Sequence, residues 1–370
     1  MKVLITGADG FVGKNLLAFL SEFKSYQIIK YTKDNNISDL LKILPDIDFI
    51  FHLAGVNRPK NEIEFKEGNT ELTRKICRIL ITLNKGIPIL YSSSIQAELS
   101  NAYGKSKYDA EQILIDYSKK LHINIYIFRL PNVFGKWAKP NYNSVVATFC
   151  YNISQGLPIQ VNDPNAKLNL VYIDDVILNF YKVLTNQISE SPYVSIEPIY
   201  QTTVGFVASQ INQFYISRQS LITEKVGEGL VRALYSTYVS YLTPKQFSYN
   251  LVKHADARGV FVEFLKTKDS GQFSFFTAHP GITRGGHYHH SKTEKFLVIK
   301  GKAKYGFRNI ITNEYHEIIS SSDNPEVVET IPGWSHDITN IGEDEMVVML
   351  WANEIFDKER PDTFACGVKI

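Results

Sequence analysis

The stretch that most limits how this chain can fold is Gly7-Ala8-Asp9-Gly10-Phe11-Val12-Gly13, set directly behind the apolar run Val3-Leu4-Ile5. It reads as a strand feeding a helix through a glycine-rich turn. Glycines spaced G-x-x-G-x-x-G let backbone N–H groups at a helix start approach a pyrophosphate. Downstream, strand-like stretches (27–31, 49–54, 87–92, 123–130) alternate with helix-like ones near 70–84 and from Tyr103. That alternation predicts a parallel, doubly wound sheet with ligands at the carboxyl ends of its strands. Gly7, Ala54, Ser94 and Leu130 all fall at such ends.

A second stretch, Tyr103-Gly104-Lys105-Ser106-Lys107, places a phenol and an ammonium four residues apart, on one face of a helix. A nearby ammonium is expected to lower a phenol's pKa from about 10 towards neutrality. Such a tyrosine can exchange a proton with a sugar oxygen during hydride transfer. The spacing is common by chance, so its weight comes from its company. His52-Leu53-Ala54-Gly55, Tyr91-Ser92-Ser93-Ser94, Arg129-Leu130-Pro131-Asn132-Val133-Phe134-Gly135 and Val171-Tyr172-Ile173-Asp174-Asp175-Val176 follow the glycine turn in order.

Together these motifs resemble the extended short-chain dehydrogenase/reductase family, a Rossmann fold. The resemblance implies Tyr103 as acid/base and Lys107 as its tuner and ribose ligand. It also implies a serine on the substrate oxygen, Ser93 or Ser94, with Ser94 favoured because it follows the strand end most closely. Cofactor contacts are implied at Gly7, Gly10, Phe11, Val12, Gly13, Leu53, Ala54, Leu130, Tyr103 and Lys107. Asn69 matches either a helix position that supports the lysine through water or an ordinary N-cap. After the second strand no acid appears until Asp34, and Lys33 precedes it, with Lys14 just past the glycine turn. Basic residues there suit a 2′-phosphate, so NADPH is expected over NADH.

Residues 136–243 are less regular, with helices expected over 141–155 and 203–214, and Thr243-Pro244 reads as a linker. Beyond it, seven short strand-like segments without a long helix predict a small antiparallel β-barrel. This tail carries Gly281-x5-His287-x-His289-x4-Glu294-x6-Gly301, then Gly333-x2-His336-x3-Asn340, which resembles both cupin signatures, with Ile331 at the second signature's usual proline. The period of a strand sends His287 and His289 to one side. With Glu294 and His336 they form a candidate set for a divalent transition metal, most simply zinc. Segments 256–263 and 284–288 also resemble metal-independent nucleotide-sugar epimerases of the cupin class, in which the residue matching His287 is the base. His289 stands where those enzymes carry Gln, which favours metal; His290 is then a further candidate base.

A length of 370 residues fits two domains, read as 1–243 and 244–370. Net charge +2 argues against bulk nucleic-acid binding. Cys77, Cys150 and Cys366 show no pairing pattern, and no apolar run approaches about 18 residues, so a cytoplasmic protein that crosses no membrane is expected. Barrels of this kind commonly pair through their outer sheets, giving a homodimer as the expected assembly. A reductase joined to a sugar-epimerase-like cupin resembles the bifunctional enzymes of capsular-polysaccharide synthesis. That resemblance implies C3 epimerisation of a UDP-linked 2-acetamido-2,6-dideoxy-hexos-4-ulose, then reduction of the 4-ketone with NADPH to UDP-2-acetamido-2,6-dideoxy-L-talose. Two other readings are an NAD-dependent epimerase or dehydratase with an auxiliary structural cupin, and a redox-sensing binding module. Ser92-Ser93-Ser94-Ile95-Gln96 lacks the acids of a dehydratase, and the intact Ser, Tyr and Lys set counts against a mere sensor.

Overall fold

The computed structural model describes residues 1–59, 61–189 and 191–369. Strands β1 (Lys2–Thr6), β2 (Gln27–Tyr31), β3 (Phe49–His52), β4 (Ile89–Ser94) and β5 (Ile125–Leu130) form one parallel sheet in the order β2-β1-β3-β4-β5. Helices cover such a sheet, so its strands read as continuous apolar runs rather than alternating ones. Val3, Leu4, Ile5, Ile50 and Phe51 are fully buried, and Leu4, Ile50, Ile89 and Ile127 pack with Ile76, Leu80, Leu114 and Tyr117 from the helices. The strand order reverses between β1 and β3, which opens a crevice at the carboxyl ends of the strands.

The glycine turn leads into the helix Phe11–Leu20. The helix Ala102–Leu121 starts at Asn101, whose side chain accepts the Gly104 N–H at 2.8 Å. The helix expected near 70–84 begins earlier, as Ile63–Phe65 followed by a π-helical turn Lys66–Glu71 and then Leu72–Thr82. Asn69 therefore lies inside a helical run, and the N-cap alternative is overturned. A three-stranded sheet of Asn132–Phe134, Lys167–Tyr172 and Tyr200–Thr203 adds to this unit with the helices Val145–Ser154, Ile173–Leu184 and Gly229–Val239.

By its contacts the chain divides into Met1–Asn212 with Glu228–Leu242, and Gln213–Gly227 with Thr243–Ile370. This differs from a single cut after residue 243. The segment Gln213–Gly227 groups with the C-terminal unit because Ile222–Thr223 pairs in parallel with Lys266 and Thr267.

The C-terminal unit is all-β. Gly259–Thr267, Gly271–Ala278, Met346–Ala352, Glu294–Lys300 and Val327–Glu329 belong to one sheet. Tyr315–Ser321, Lys302–Asn309, Trp334–Asn340, Thr283–Tyr288 and Phe364–Ala365 form the other. Their inward residues, among them Phe276, Phe296, Tyr305, Phe307, Ile338 and Val348, share one core. Among the described residues no ladder joins the two sheets into a closed barrel. Two strands that were not separately expected, Thr283–Tyr288 and Trp334–Asn340, carry His287 and His336.

Candidate active site and candidate metal centre

Backbone packing dictates the glycines of the first turn. Gly7 has φ +70°, and a Cβ there would lie 2.7 Å from the Ala54 backbone; a Cβ on Gly13 would lie 2.2 Å from the Gly7 carbonyl oxygen. The turn, the end of β3 and the helix start are thus drawn together at a spacing that side chains would break. Beneath them His52 bridges Thr6 (2.7 Å) and Thr73 (2.8 Å). Burial, with the charge of Lys107, pushes its pKa down to about 3, so it is a neutral structural group.

A cleft of about 800 Å³ runs over this turn. Gly7, Gly10, Phe11, Val12, Gly13, Leu53, Ser94, Tyr103, Lys107 and Leu130 line it. Ala54 lies behind the lining, against Gly7, and Lys33 is exposed in the turn after β2, outside the lining. Ser94 and Tyr103 both line the cleft, and the serine acts to lower the phenol's pKa. Lys107 donates to the Ser92 carbonyl at 3.0 Å and lies 4.9 Å from the centre of the Tyr91 ring.

The electrostatics run opposite to the expected direction for the phenol. Burial raises the Tyr103 pKa, with the influence of Ser94 acting the other way, while burial brings Lys107 down to about 8 against the pull of Glu111. Desolvation outweighs pairing because Lys107 spends its contacts on a carbonyl and a ring face.

Ser93 is held elsewhere. Its hydroxyl donates to Glu111, a fully buried carboxylate that also receives Arg129 (2.6 Å) and the Tyr193 hydroxyl (3.1 Å). Asn69 accepts the Val56 N–H at 2.8 Å and donates to the Ser106 hydroxyl at 2.9 Å, bracing the helix that carries Tyr103 and Lys107.

In the C-terminal unit the donor atoms of His287, His289, Glu294 and His336 all lie within 4.8 Å of one another. Glu294 reaches His289 at 3.3 Å and His336 at 3.4 Å. His289 lies just beyond the end of Thr283–Tyr288, after a bulge between Gly285 and His287, so loop geometry rather than strand period turns it inward. The Asp362 carbonyl lies 2.6 Å from His289 Nδ1, which leaves Nε2 facing the cluster. The Asp362 carboxylate accepts the N–H groups of His290, Ser291 and Lys292 and pins that loop. Neither ring nitrogen of buried His336 makes a hydrogen bond; Nε2 only approaches the Glu294 carboxylate at 3.4 Å. Three imidazoles and a carboxylate with an orphaned ligand nitrogen are the donor set a divalent transition metal takes.

Burial raises the Glu294 carboxyl, but the facing His289 and His336 rings outweigh it and hold the group well below the usual carboxylate range. Burial and neighbouring His336 bring His287 down to about 4. A cavity of about 170 Å³ adjoins the cluster, lined by His287, Glu294 and His336 with Arg284, Tyr305 and several phenylalanines. His290 is turned away from it, against Tyr288 and Phe364.

Residues 3–194 match the NAD dependent epimerase/dehydratase family, and residues 254–364 match the polysaccharide biosynthesis C-terminal domain. The chain belongs to the NAD dependent epimerase/dehydratase family. Family membership implies a nicotinamide cofactor, and the glycine turn and cleft fit one. UDP-2-acetamido-2,6-beta-L-arabino-hexul-4-ose reductase of Pseudomonas aeruginosa is 57% identical over 368 residues, covering 100% of this chain and 99% of that one. The crystal structure of the capsular polysaccharide assembling protein CapF from Staphylococcus aureus superposes with a TM-score of 0.92 at 42% identity, covering 100% of both chains. UDP-glucuronic acid 4-epimerase from Bacillus cereus, at 19% identity and a TM-score of 0.56, shares the fold over 65% of the chain.

Within this epimerase/dehydratase fold, sequence reasoning missed Glu111. It lies four residues beyond Lys107 on the same helix, and an acid on the inward face was its one signal. Asp362 carried no motif at all; only folding brings it to the His289 loop.

Proposed function

We propose that this chain is a bifunctional nucleotide-sugar enzyme. Its C-terminal unit epimerises C3 of a UDP-2-acetamido-2,6-dideoxy-hexos-4-ulose. Its N-terminal unit reduces the 4-ketone with NADPH to UDP-2-acetamido-2,6-dideoxy-L-talose. The observation that carries the reading is that Ser94, Tyr103 and Lys107 line one cleft together with the glycine turn. The full-length likeness to a reductase of a UDP-linked ketone supports the substrate class.

NADPH, when bound, supplies a hydride to C4 of the sugar. Ser94 donates a hydrogen bond to the ketone oxygen and holds it near the phenol. Burial keeps Tyr103 protonated, which is the form a reduction needs, and its proton passes to the oxygen as charge develops there. The Lys107 ammonium stabilises the phenolate left behind. Lys14, which lines the cleft, and Lys33 are the basic residues offered to a 2′-phosphate, which favours NADPH over NADH.

His287, His289, Glu294 and His336 would hold a divalent ion, zinc by ligand type, whose chemistry there is to polarise the 4-ketone and so acidify the C3–H bond. The order follows from this: reduction removes the ketone that epimerisation requires.

The test is NMR of the UDP-linked 4-keto sugar in D2O with the full chain and no NADPH. Deuterium at C3 that survives Tyr103→Phe and disappears in His336→Ala is the expected result. Clean ketone reduction without any exchange would leave a plain reductase with a structural C-terminal unit.

A further inference from the structure

Among the described residues of the N-terminal unit, two charged side chains are buried, Lys107 and Glu111. They stand four residues apart on the helix Ala102–Leu121, which puts them on one face of it. Their heads also end on consecutive residues of β4. Lys107 Nζ donates to the Ser92 carbonyl at 3.0 Å, and Glu111 accepts from the Ser93 hydroxyl. The reduction described above employs Lys107 and leaves Glu111 without a task.

The fold equips Glu111 as an anion. Arg129 grips its carboxylate with two prongs, Nε 3.1 Å from one oxygen and Nη2 2.6 Å from the other, and the Tyr193 hydroxyl donates at 3.1 Å. All of these partners are donors, as a carboxylate requires. Lys107 has only a carbonyl and a ring face, and a buried ammonium needs an anion nearby to stay charged.

The other groups around Lys107 supply none. From β3, His52 is neutral, its pKa pushed down to about 3. Tyr91 on β4 and Tyr103 on the same helix are raised by burial and stay phenols. On the helical run packed alongside, Lys66, Glu67, Lys75 and Arg78 are exposed. Glu71 there pairs with Arg74, Glu64 accepts from Asn61, and the Cys77 thiol is raised to about 12. Arg129 on β5 is a cation, and Glu98, after β4, is exposed and paired with it at 2.7 Å. Glu111 is left as the buried anion, and its charge opposes the fall that burial imposes on Lys107.

We propose that Glu111 is a positioning residue of the reductase, the fixed counter-charge that holds Lys107 as an ammonium. It does not line the cleft and acts on the sugar only through the lysine. The inference rests on the reductase reading above, and a titration tests it apart from turnover.

The experiment follows the Lys107 13Cε resonance of the full chain against pH, without substrate or cofactor, with Lys107→Arg assigning the signal by its loss. The pH profile of kcat for ketone reduction is recorded in parallel. Glu111→Gln is expected to lower the midpoint of the titration, and the alkaline limit of kcat, by about one pH unit. Tyr193→Phe removes a hydrogen bond to the carboxylate but not its charge, and should leave both within about 0.3 unit of the parent's. A purely structural Glu111 would alter the melting temperature and leave the midpoint in place. Should Glu111→Gln fail to fold around an unpaired guanidinium, Glu111→Gln with Arg129→Gln removes both charges and is expected to shift the midpoint the same way, by less. An unmoved midpoint in the variant that folds, or an equal shift in Tyr193→Phe, overturns the assignment. A midpoint that depends on Glu111 in a chain that reduces no ketone would sink the functional reading and leave the counter-charge standing. Ketone reduction whose alkaline limit ignores Glu111 would do the reverse.

Discussion

The two candidate sites of this chain are built on opposite plans. In the N-terminal cleft the polar groups near the reaction are supplied with partners by the fold itself. Lys107 has the Ser92 carbonyl, Ser93 has Glu111, and Asn69 ties Val56 to Ser106. In the C-terminal cluster, neither ring nitrogen of buried His336 is hydrogen-bonded, Nε2 only facing Glu294 at 3.4 Å, while Asp362 and Glu294 orient His289. The first plan tunes side chains by burial and can act with the chain's own groups. The second gathers donors that only a cation would satisfy together. The two should therefore fail independently and for different reasons.

The largest expected effect separates them by chemistry. Tyr103→Phe removes the proton donor and should lower ketone reduction about a thousandfold, measured as NADPH consumption, with metal content unchanged. Equal loss of both would mean one integrated site. Next, Asp362→Ala frees the loop behind His289 and should weaken metal binding about tenfold, read by competition with a chelator, without altering NADPH affinity. An unaltered metal affinity would show that the ligands need no outer support.

A third test uses pH. Lys107 is brought to about 8 from the ordinary lysine value by burial, so the folded protein holds fewer protons than the unfolded chain between about pH 8 and 10.5. Stability contributed by this residue should therefore rise with pH across that window, the cost of its buried charge being present below it. Reduction should run the other way, falling about tenfold per pH unit once the ammonium is lost above about 8. Activity that holds flat to pH 10 would remove Lys107 from the reaction. The smallest effect sharpens the serine assignment. Ser93→Ala should cost about 1 kcal/mol of stability in denaturant melts while leaving turnover near normal, whereas Ser94→Ala should cut turnover. A reversal would exchange their roles.

What could be read from the sequence follows from how local each signal is. Glycine spacing, the Tyr103–Lys107 pair and the strand ends depend on residues a few positions apart, so the parallel sheet and its crevice were legible. His287, His289, Glu294 and His336 were legible as a set because two short motifs span them. Strand bounds in the C-terminal unit were less so. The glycines at 285 and 286 hide the strand Thr283–Tyr288, and a bulge lets it carry His287 all the same. The direction of the Tyr103 shift was out of reach, because it depends on how deeply the phenol is desolvated and on where Lys107 points. Glu111 and Asp362 take partners distant in the chain, such as Arg129 and His289.

The strand Ile222–Thr223 has a consequence for how this enzyme can be taken apart. Because it belongs to one unit while flanked on both sides by chain of the other, the polypeptide passes between units at 212, 227 and 242. A truncation after Leu242 would strand Ile222–Thr223 without its partners at Lys266 and Thr267 and expose their edge on the separated piece. Neither half is then a clean module for exchange by a single recombination point. A graft that carries one activity into another protein has to take two segments, or rebuild that edge.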